Sequence, residues 1–245
     1  MTRATYVSIQ LARFDSLRTA EDMAAEERAG VHFCGVAADT RAAATEPASQ
    51  QAFKFLIFGL HEDAASAHRF LDNRRALVPW LDEALEVWEA VLQPFRHTGE
   101  ANYLERGQPG PLFDSLAPPP ASTAPIVAIT SSGWTVGEAF DMSRVREFSN
   151  GVMSVRASMT AVEGLHSQQS FFFPRVLEYD PLTVTFWRDS ASLRAFAYGA
   201  GVHRLQMERQ REQNLADRTS FTRCSVVRSD GTWHGTDPQR MTAAG

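Results

Sequence analysis

The stretch PLTVTFWRDSASLRAFAY, residues 181–198, combines a β-like run, an acidic turn and the start of a helix. The same order occurs earlier in the chain, in AFKFLIFGLHEDAASAHRFL at residues 52–71. An offset of about 126 positions aligns Asp63 with Asp189, Ser66 with Ser192, and Phe70 with Phe196. Asp and Ser are favoured at a helix N-cap and in the first helical turn. The sequence therefore predicts an internal repeat, in which a strand runs into an N-capped helix.

The remaining segments extend this repeat over both halves of the chain. The first half is predicted to contain strands at residues 6–14, 32–38 and 53–60, and helices around residues 18–29 and 66–92. The second half is predicted to contain strands at residues 125–134, 165–173, 182–187 and 221–229, a helix around residues 143–160, and a helix that carries His203. Strand, helix, two strands, helix, strand is the order of a ferredoxin-like unit. We therefore predict an α+β protein, with two ferredoxin-like repeats that form a paired α/β barrel.

The stretch GQPGPLFDSLAPPPASTAP, residues 107–125, is rich in proline, glycine and serine and is predicted to be a linker. It would separate a first repeat at residues 1–106 from a second repeat at residues 126–245, which holds the candidate site. The segment PWLDEALEVWEAVLQPF, residues 79–95, has tryptophan and leucine at helical spacing. We predict that this segment belongs to the core or to a subunit interface.

Composition restricts the classes of function. The net charge of −5 provides no basic surface for nucleic acid, and no apolar run approaches the ~20 residues that span a bilayer. The N-terminus has no signal-peptide pattern. The only cysteines are Cys34 and Cys224, which excludes a disulfide scaffold or a four-cysteine zinc site. There is no HExxH, GxSxG, P-loop or GxGxxG motif. We expect a cytoplasmic protein without a membrane span.

His203 is the first candidate site residue, within LRAFAYGAGVHRLQMERQRE at residues 193–212. It recurs at helical spacing with Leu193, Phe196, Ala200 and Met207, and so belongs to an apolar stripe. Glycines at 199 and 201 either divide this segment into two helices or admit a bulky partner close to the backbone. The matching position of the first half is leucine, at residue 77, so the fold does not require a polar group there. His203 is either a buried core histidine or an axial ligand of haem iron.

Further candidates are polar or aromatic residues of the second half. Alternation along LHSQQSFFF places Gln168 on one face of a strand, where it and Ser132 either face a bound oxidant or substrate or emerge into solvent. Arg146 and Arg156 either bind carboxylates such as haem propionates or form surface ion pairs. The cofactor-binding group is predicted to include, besides His203 and these arginines, Tyr198, Phe196 and Trp187.

Three segments of the second half resemble spheroidene monooxygenases of carotenoid biosynthesis and the monooxygenase-like proteins related to them. These are FSNGVMSVRASMTAVEGL, TFWRDSASLRAFAYGAGVH and GTWHGTDP, and the resemblance is specific over residues 148–238. It implies a dimeric α/β-barrel fold and haem b, with the iron held by a histidine on a helix of the second repeat, where His203 stands. In SQQSFFFPR the sequence departs from the glycine-rich strand of that family, which allows a substrate other than a carotenoid.

Three functional hypotheses follow. The first is a haem-dependent monooxygenase that acts on an apolar small molecule of a biosynthetic pathway, with an electron donor as partner. The second is a redox-neutral haem enzyme, a dehydratase or rearrangement enzyme like aldoxime dehydratases, whose substrate coordinates the iron directly. The third is a cofactor-free barrel that binds a ligand or a partner. The resemblance also implies a homo-oligomer.

Overall fold

A computed structural model describes residues 4–15, 31–39, 53–73, 78–101, 113, 115–135, 137, 140–160, 162–173 and 178–238. The described strands are β1 (Tyr6–Phe14), β2 (Val31–Asp39), β3 (Phe53–His61), β4 (Glu86–Gly99), β5 (Ile126–Thr135), β6 (Leu165–Phe173), β7 (Glu178–Trp187) and β8 (Arg218–Gly231). They form one closed antiparallel barrel in the order β1-β3-β2-β6-β7-β5-β8-β4.

The barrel consists of two four-stranded units with the same topology. The first unit has the order β4-β1-β3-β2 and the second β8-β5-β7-β6, which is the same order counted from each unit's own first strand. The units meet where β2 pairs with β6 and where β4 pairs with β8. The predicted fold of two ferredoxin-like repeats in an α/β barrel is therefore confirmed. The barrel closes within one chain, so its closure requires no second copy.

The described α-helices are α1 (Ala64–Asp72), α2 (Met142–Met159), α3 (Ser190–Tyr198) and α4 (Val202–Gln213). Asp63 caps α1 by accepting a hydrogen bond from the Ser66 amide at 2.7 Å, and Asp189 caps α3 by accepting one from the Ser192 amide at 2.7 Å. The repeated Asp-x-x-Ser pattern thus has the same structural role twice. The predicted helix at residues 18–29 lies outside the described residues. Among the residues that are described, every helix is too short or too polar to cross a membrane.

The predicted helix over residues 66–92 is wrong beyond its first turns. Helix α1 ends at Asp72, a 3₁₀ helix covers Pro79–Glu83, and β4 begins at Glu86. Both faces of β4 are covered: Trp88 points into the barrel, whereas Val91 packs outside it. A strand that is buried on both faces reads as a continuous apolar run, and such a run does not distinguish strand from helix by periodicity. Of the two alternatives predicted for residues 79–95, core or subunit interface, the core holds for Leu81, Trp88, Ala90, Val91 and Leu92, whereas Leu85 is 58% exposed.

Apolar side chains fill the barrel interior and a separate layer lies outside it. The interior cluster includes Val7, Ile9, Leu11, Leu56, Phe58, Trp88, Val127, Ile129, Phe171, Val184, Phe186 and Trp233. Trp233 comes from the GTWHGTDP segment after β8, and Glu86 holds that segment by accepting hydrogen bonds from the amides of His234 (3.1 Å) and Gly235 (2.7 Å). The last of the three segments that carry the resemblance therefore closes one end of the barrel.

Candidate functional site

The outer face of β5 has an opening in its middle. Val127 and Ile129 point into the barrel, so alternation places Ala128, Thr130 and Ser132 on the outside. Thr130 is exposed, although β5 pairs on both sides, with β7 at Thr183 and with β8 at Phe221. Its neighbours on the outer face, Thr183 and Phe221, are only half-buried. We call these three residues and Ser132 the outer opening.

Two apolar clusters flank the outer opening. The Trp187 cluster consists of Ile126, Ala128, Met159, Trp187 and Leu193, with Phe196 and Phe221 among the residues packed against it. The Trp134 cluster consists of Trp134, Val145, Phe148, Leu215 and Ala216. In the second cluster the Trp134 indole donates to the Leu215 carbonyl at 2.6 Å and meets Phe148 edge to face, with ring centroids 5.1 Å apart. The outer opening is therefore bounded on both sides by buried apolar side chains.

Helices α2 and α4 lie over this face and pack on each other. Helix α2 also packs on β5 at two places, through Met159 beside Ile126 and Ala128 and through Val145 and Phe148 beside Trp134. Helix α1 packs on β1, β3 and β4, and α3 packs on β7. The two helices come close at Gly151, where a Cβ would overlap with the end of the Gln206 side chain and that side chain would have to move. Thr130 lies between the two contacts of α2 with β5 and stays exposed among the residues that the structure describes.

His203 lies near the start of α4 in a defined orientation. Its Nδ1 is 3.1 Å from the Ala197 carbonyl, which can only accept, so Nδ1 carries the proton and donates. Burial lowers the pKa of His203 from its ordinary value, and the bond to Ala197 opposes that shift. The imidazole is therefore neutral near pH 7, and Nε2 keeps its lone pair. No described residue forms a hydrogen bond with Nε2.

Aromatic rings surround this imidazole on the side of the Trp187 cluster. The His203 ring lies 5.1 Å from the Phe196 ring, which lies 5.5 Å from the Trp187 ring. The helical conformation is interrupted between Tyr198 and Val202, so Phe196 and His203 belong to two consecutive helices, α3 and α4. Of the two effects predicted for the glycines at 199 and 201, the division into two helices is the one observed.

The polar candidates on the sheet lie on or beside the outer face. Gln168 of β6 donates from Nε2 to the Arg156 carbonyl at 3.4 Å, and its buried Oε1 has no hydrogen-bond partner among the described residues. Ser132 is 6% exposed and faces outward from β5. Ser170 and Thr183 share a hydrogen bond of 2.9 Å. Among the side chains that the structure describes, the sheet thus offers hydroxyl and amide groups next to the outer opening.

The two arginines predicted to bind propionates are placed differently. Arg146 is exposed, because Val145 and Phe148 take the buried side of α2, and it forms no hydrogen bond or ion pair with a described residue. Arg156 is half-buried near the end of α2, and its carbonyl holds Gln168. The structure brings Trp187, Phe196, Tyr198 and His203 together, but it does not place Arg146 with them.

Arg223 of β8 is a residue that the sequence predictions missed. It is 2% exposed, its guanidinium lies 5.2 Å from the Phe221 ring, and it donates to the Tyr198 hydroxyl at 3.3 Å. The buried Nε has no hydrogen-bond partner among the described residues. Alternation along β8 was the available signal, since Phe221 and Arg223 share the outer face. A strand of mixed polarity gave no contrast that would single out this arginine.

The described side chains offer no other metal chemistry. They include no group of three or more His, Cys, Asp or Glu residues that could hold a metal ion. Burial strongly raises the pKa of the Cys224 thiol, so this side chain stays protonated and unreactive. The side chain of Cys34 lies outside the described residues. Besides His203, two described histidines have an Nε2 without a hydrogen-bond partner among the described residues, His68 and His166. His203 is set apart from these two by the bond from its Nδ1 to the Ala197 carbonyl.

No family model and no curated protein sequence matches this chain. Solved structures of similar fold include an aldoxime dehydratase in complex with butyraldoxime, with a TM-score of 0.54 and 11% identity over 92% of this chain and 80% of that chain. They also include a monooxygenase-like protein from Fusobacterium nucleatum (TM-score 0.38, 11% identity, 95% and 96% covered) and a haem-degrading enzyme from Listeria monocytogenes (TM-score 0.28, 9% identity, 88% and 98% covered). The likeness to the aldoxime dehydratase supports the assignment of this chain to the dimeric α/β-barrel fold.

Proposed function

We propose that this protein is an enzyme that binds haem b through His203 and oxygenates an apolar small molecule. The observation that carries the proposal is the state of His203: its Nδ1–H is fixed by the Ala197 carbonyl, and its Nε2 is neutral and uncommitted. A metal-bound histidine usually donates its other ring N–H to a carbonyl or carboxylate, which sets the tautomer and the ring orientation. His203 has this arrangement already.

The surroundings of His203 fit a flat apolar group. Phe196 and Trp187 supply aromatic surface beside the imidazole, and Thr130 in the outer opening is left exposed by the side chains that the structure describes. Haem brings four of its own nitrogen ligands, so one protein imidazole is sufficient to hold the iron, which is consistent with a site that lacks a cluster of metal ligands.

Bound haem would supply iron chemistry with oxygen, which protein side chains do not provide. The chain's own residues have simpler roles in this proposal. His203 holds the iron through Nε2 and keeps its proton at Nδ1. The rings of Phe196 and Trp187 exclude water. Ser132 can donate a hydrogen bond, and the free Oε1 of Gln168 can accept one, so we assign these two side chains to orient the oxidant or substrate. The Trp187 cluster beside the opening is apolar, so we assign the apolar part of the substrate to that wall.

The proposal is tested by the absorption spectrum of the protein expressed with a haem precursor. We expect a Soret band in the parent, loss or a large shift of this band in His203→Ala, and no change in His97→Ala. His97 is a matched control, because it is also partly buried and its Nδ1 is also bonded, to Thr222 at 2.8 Å, but on β4. A colourless, folded parent would favour the cofactor-free barrel. A band that survives His203→Ala would place the ligand elsewhere.

A redox-neutral haem reaction is the second candidate. It is favoured by the likeness in fold to a structure of aldoxime dehydratase that contains butyraldoxime. The two candidates differ in their need for electrons. Conversion of butyraldoxime to its nitrile without oxygen or an electron donor would support the dehydratase. Oxygen uptake that requires both a reductant and an apolar substrate would support the monooxygenase. The electron donor and the homo-oligomer both stay predictions, and size-exclusion chromatography with light scattering tests the latter.

A further inference from the structure

We infer that Arg223, with the Tyr198 hydroxyl beside it and Arg96 and Arg194 around it, forms a binding site for a carboxylate. The carboxylate belongs to a molecule that occupies the outer face near His203: a propionate of haem, or the acid group of an organic substrate. The choice between these sources rests on the proposed function, whereas the carboxylate chemistry rests on the residues themselves.

The first support is that Arg223 is buried without a countercharge. It is 2% exposed, and no carboxylate of a described residue forms an ion pair with it. A buried charge is strongly unfavourable unless it is paired. The partly buried Arg13, by comparison, pairs with Glu86 at 3.2 Å. A site that keeps an arginine in this condition gains most from a ligand that brings the missing negative charge.

The second support is the charge around Arg223. Arg96 is its cross-strand partner on β4, and Arg194 lies on α3; both are exposed, and neither pairs with a described acid. Burial lowers the pKa of Arg223 from its ordinary value, the charges of Arg96 and Arg194 act in the same direction, and Tyr198 opposes the shift. Three like charges that pair with no acid among the described residues create a positive potential that attracts an anion.

The third support is the geometry of the donors. The Nε–H of Arg223 is uncommitted and lies next to an Nη, so the guanidinium can offer the two parallel donors that fit a carboxylate. The Tyr198 hydroxyl accepts from Arg223 at 3.3 Å and keeps its own hydrogen to donate. Tyr198 is 51% exposed, so a displacement of its side chain opens the path to Arg223.

The site is also tied to His203 through the backbone. Tyr198 directly follows Ala197, whose carbonyl fixes the imidazole at 3.1 Å. A carboxylate that binds Tyr198 and Arg223 therefore fixes the end of α3, which holds His203. The ligand's acid group and the candidate metal ligand are positioned by one turn of the chain.

The experiment compares acids with their esters in the full-length protein. The variants are Arg223→Gln, Tyr198→Phe and, as a matched control on the same strand, Arg228→Gln, whose ion pair with Asp72 lies away from this site. The ligands are haem b and its dimethyl ester, followed by absorbance, and decanoate and its methyl ester, followed by thermal unfolding. We expect the parent and Arg228→Gln to prefer an acid over its ester by about tenfold or more, since tenfold corresponds to one modest charge-assisted contact.

We expect Arg223→Gln to abolish this preference and Tyr198→Phe to reduce it. Loss of the haem preference identifies the propionate as the ligand group, and loss of the decanoate preference alone identifies a substrate acid. If acid and ester bind equally well to the parent, or if Arg223→Gln keeps the preference, the inference is overturned. Tyr198→Phe changes an exposed side chain, so it answers the question even if Arg223→Gln does not fold. A parent that binds decanoate through Arg223 but no haem would overturn the proposed function alone.

Discussion

The two repeats share a strand pairing but differ in how their outer faces are covered. In the first repeat Gln10 pairs with Ile57, and at the matching place in the second repeat Thr130 pairs with Thr183. Gln10 and Ile57 are both 0% exposed, whereas Thr130 is exposed and Thr183 is half-buried. The outer face of the first repeat is therefore fully covered at this place, whereas the matching place of the second repeat is exposed. Open space on a rigid, otherwise packed face is typical of a ligand site rather than of core.

The helices account for this difference. Helix α1 brings Phe70 and Leu71 directly onto the first sheet, in one cluster with Phe55 and Ile57. In the second repeat α2 packs on α4 beside Gly151 and Gln206, and it reaches the sheet through Met159 in the Trp187 cluster and through Val145 and Phe148 in the Trp134 cluster. Thr130 lies between these two contacts on β5 and stays exposed.

The largest expected effect is the difference in the free energy of unfolding between alanine substitutions at two matched positions, Ile57 and Thr183. Ile57→Ala removes a fully buried side chain and should cost about 2–5 kcal/mol. Thr183→Ala should cost about 1 kcal/mol, since it loses one hydrogen bond with Ser170 and little packing. Urea unfolding followed by circular dichroism measures both. Equal losses would mean that the second face is as well packed as the first.

The next largest effect on the free energy of unfolding is expected at Trp134, in the cluster beside the outer opening. Trp134→Phe keeps an aromatic ring against Phe148 but leaves the buried Leu215 carbonyl without its donor. We expect a loss of about 1–3 kcal/mol in the free energy of unfolding. The same urea experiment applies, with Trp80→Phe as control, because the half-buried Trp80 ring packs in the first repeat's outer layer. A loss no larger than that of the control would show that the Trp134 cluster is not a rigid wall.

Local signals were sufficient to predict most strands and the repeat. The bounds of β1 were predicted correctly, because its mostly apolar run is flanked by polar residues. The caps at Asp63 and Asp189 are decided within four residues of sequence, so they were predicted from spacing alone. The error at β4 arose where coverage of both faces removed the alternation, and coverage is decided by distant parts of the chain.

The candidate site divides in the same way. His203 was found because a polar residue interrupts an apolar stripe, which is a local contrast. Arg223 was missed because its role as a candidate depends on Tyr198, which is 25 residues away in sequence. It also depends on the lack of a described acid nearby, on a surface to which several strands and helices contribute. Thr130 was missed for the converse reason: its exposure follows from what α2 and α4 fail to cover.

The pH dependence of stability sharpens the comparison at His203. Burial lowers the pKa of His203 in the folded protein, so below the ordinary value of about 6.5 the unfolded chain binds the proton first. Stability should therefore fall as the pH drops from 7.5 to 5. His203→Gln has a side-chain donor but no group that titrates in this range, so it should lose less stability over the same pH change. Urea unfolding at both pH values decides this, and parallel losses would show that His203 is not desolvated.

The smallest effect on stability belongs to the opening itself. Thr130→Phe places a large ring where the side chain is now exposed, so the free energy of unfolding should change by no more than about 0.5 kcal/mol. The matched Gln10→Phe should cost about 1–3 kcal/mol, because that position is fully buried and Gln10 donates to Glu89 at 3.3 Å.

Haem affinity should rank the two variants in the opposite order to stability: Thr130→Phe should lose affinity and Gln10→Phe should keep it. If haem lies over β5, the ring of Thr130→Phe takes its space, so a haem titration followed at the Soret band should show at least a tenfold loss of affinity. Gln10→Phe, once folded, should bind haem like the parent, because its face holds no ligand. A Thr130→Phe variant that binds haem normally would move the cofactor away from this opening, even if His203 remained its ligand. The loss of stability thus shows which repeat has a packed outer face, and the loss of haem affinity shows which repeat has the ligand site.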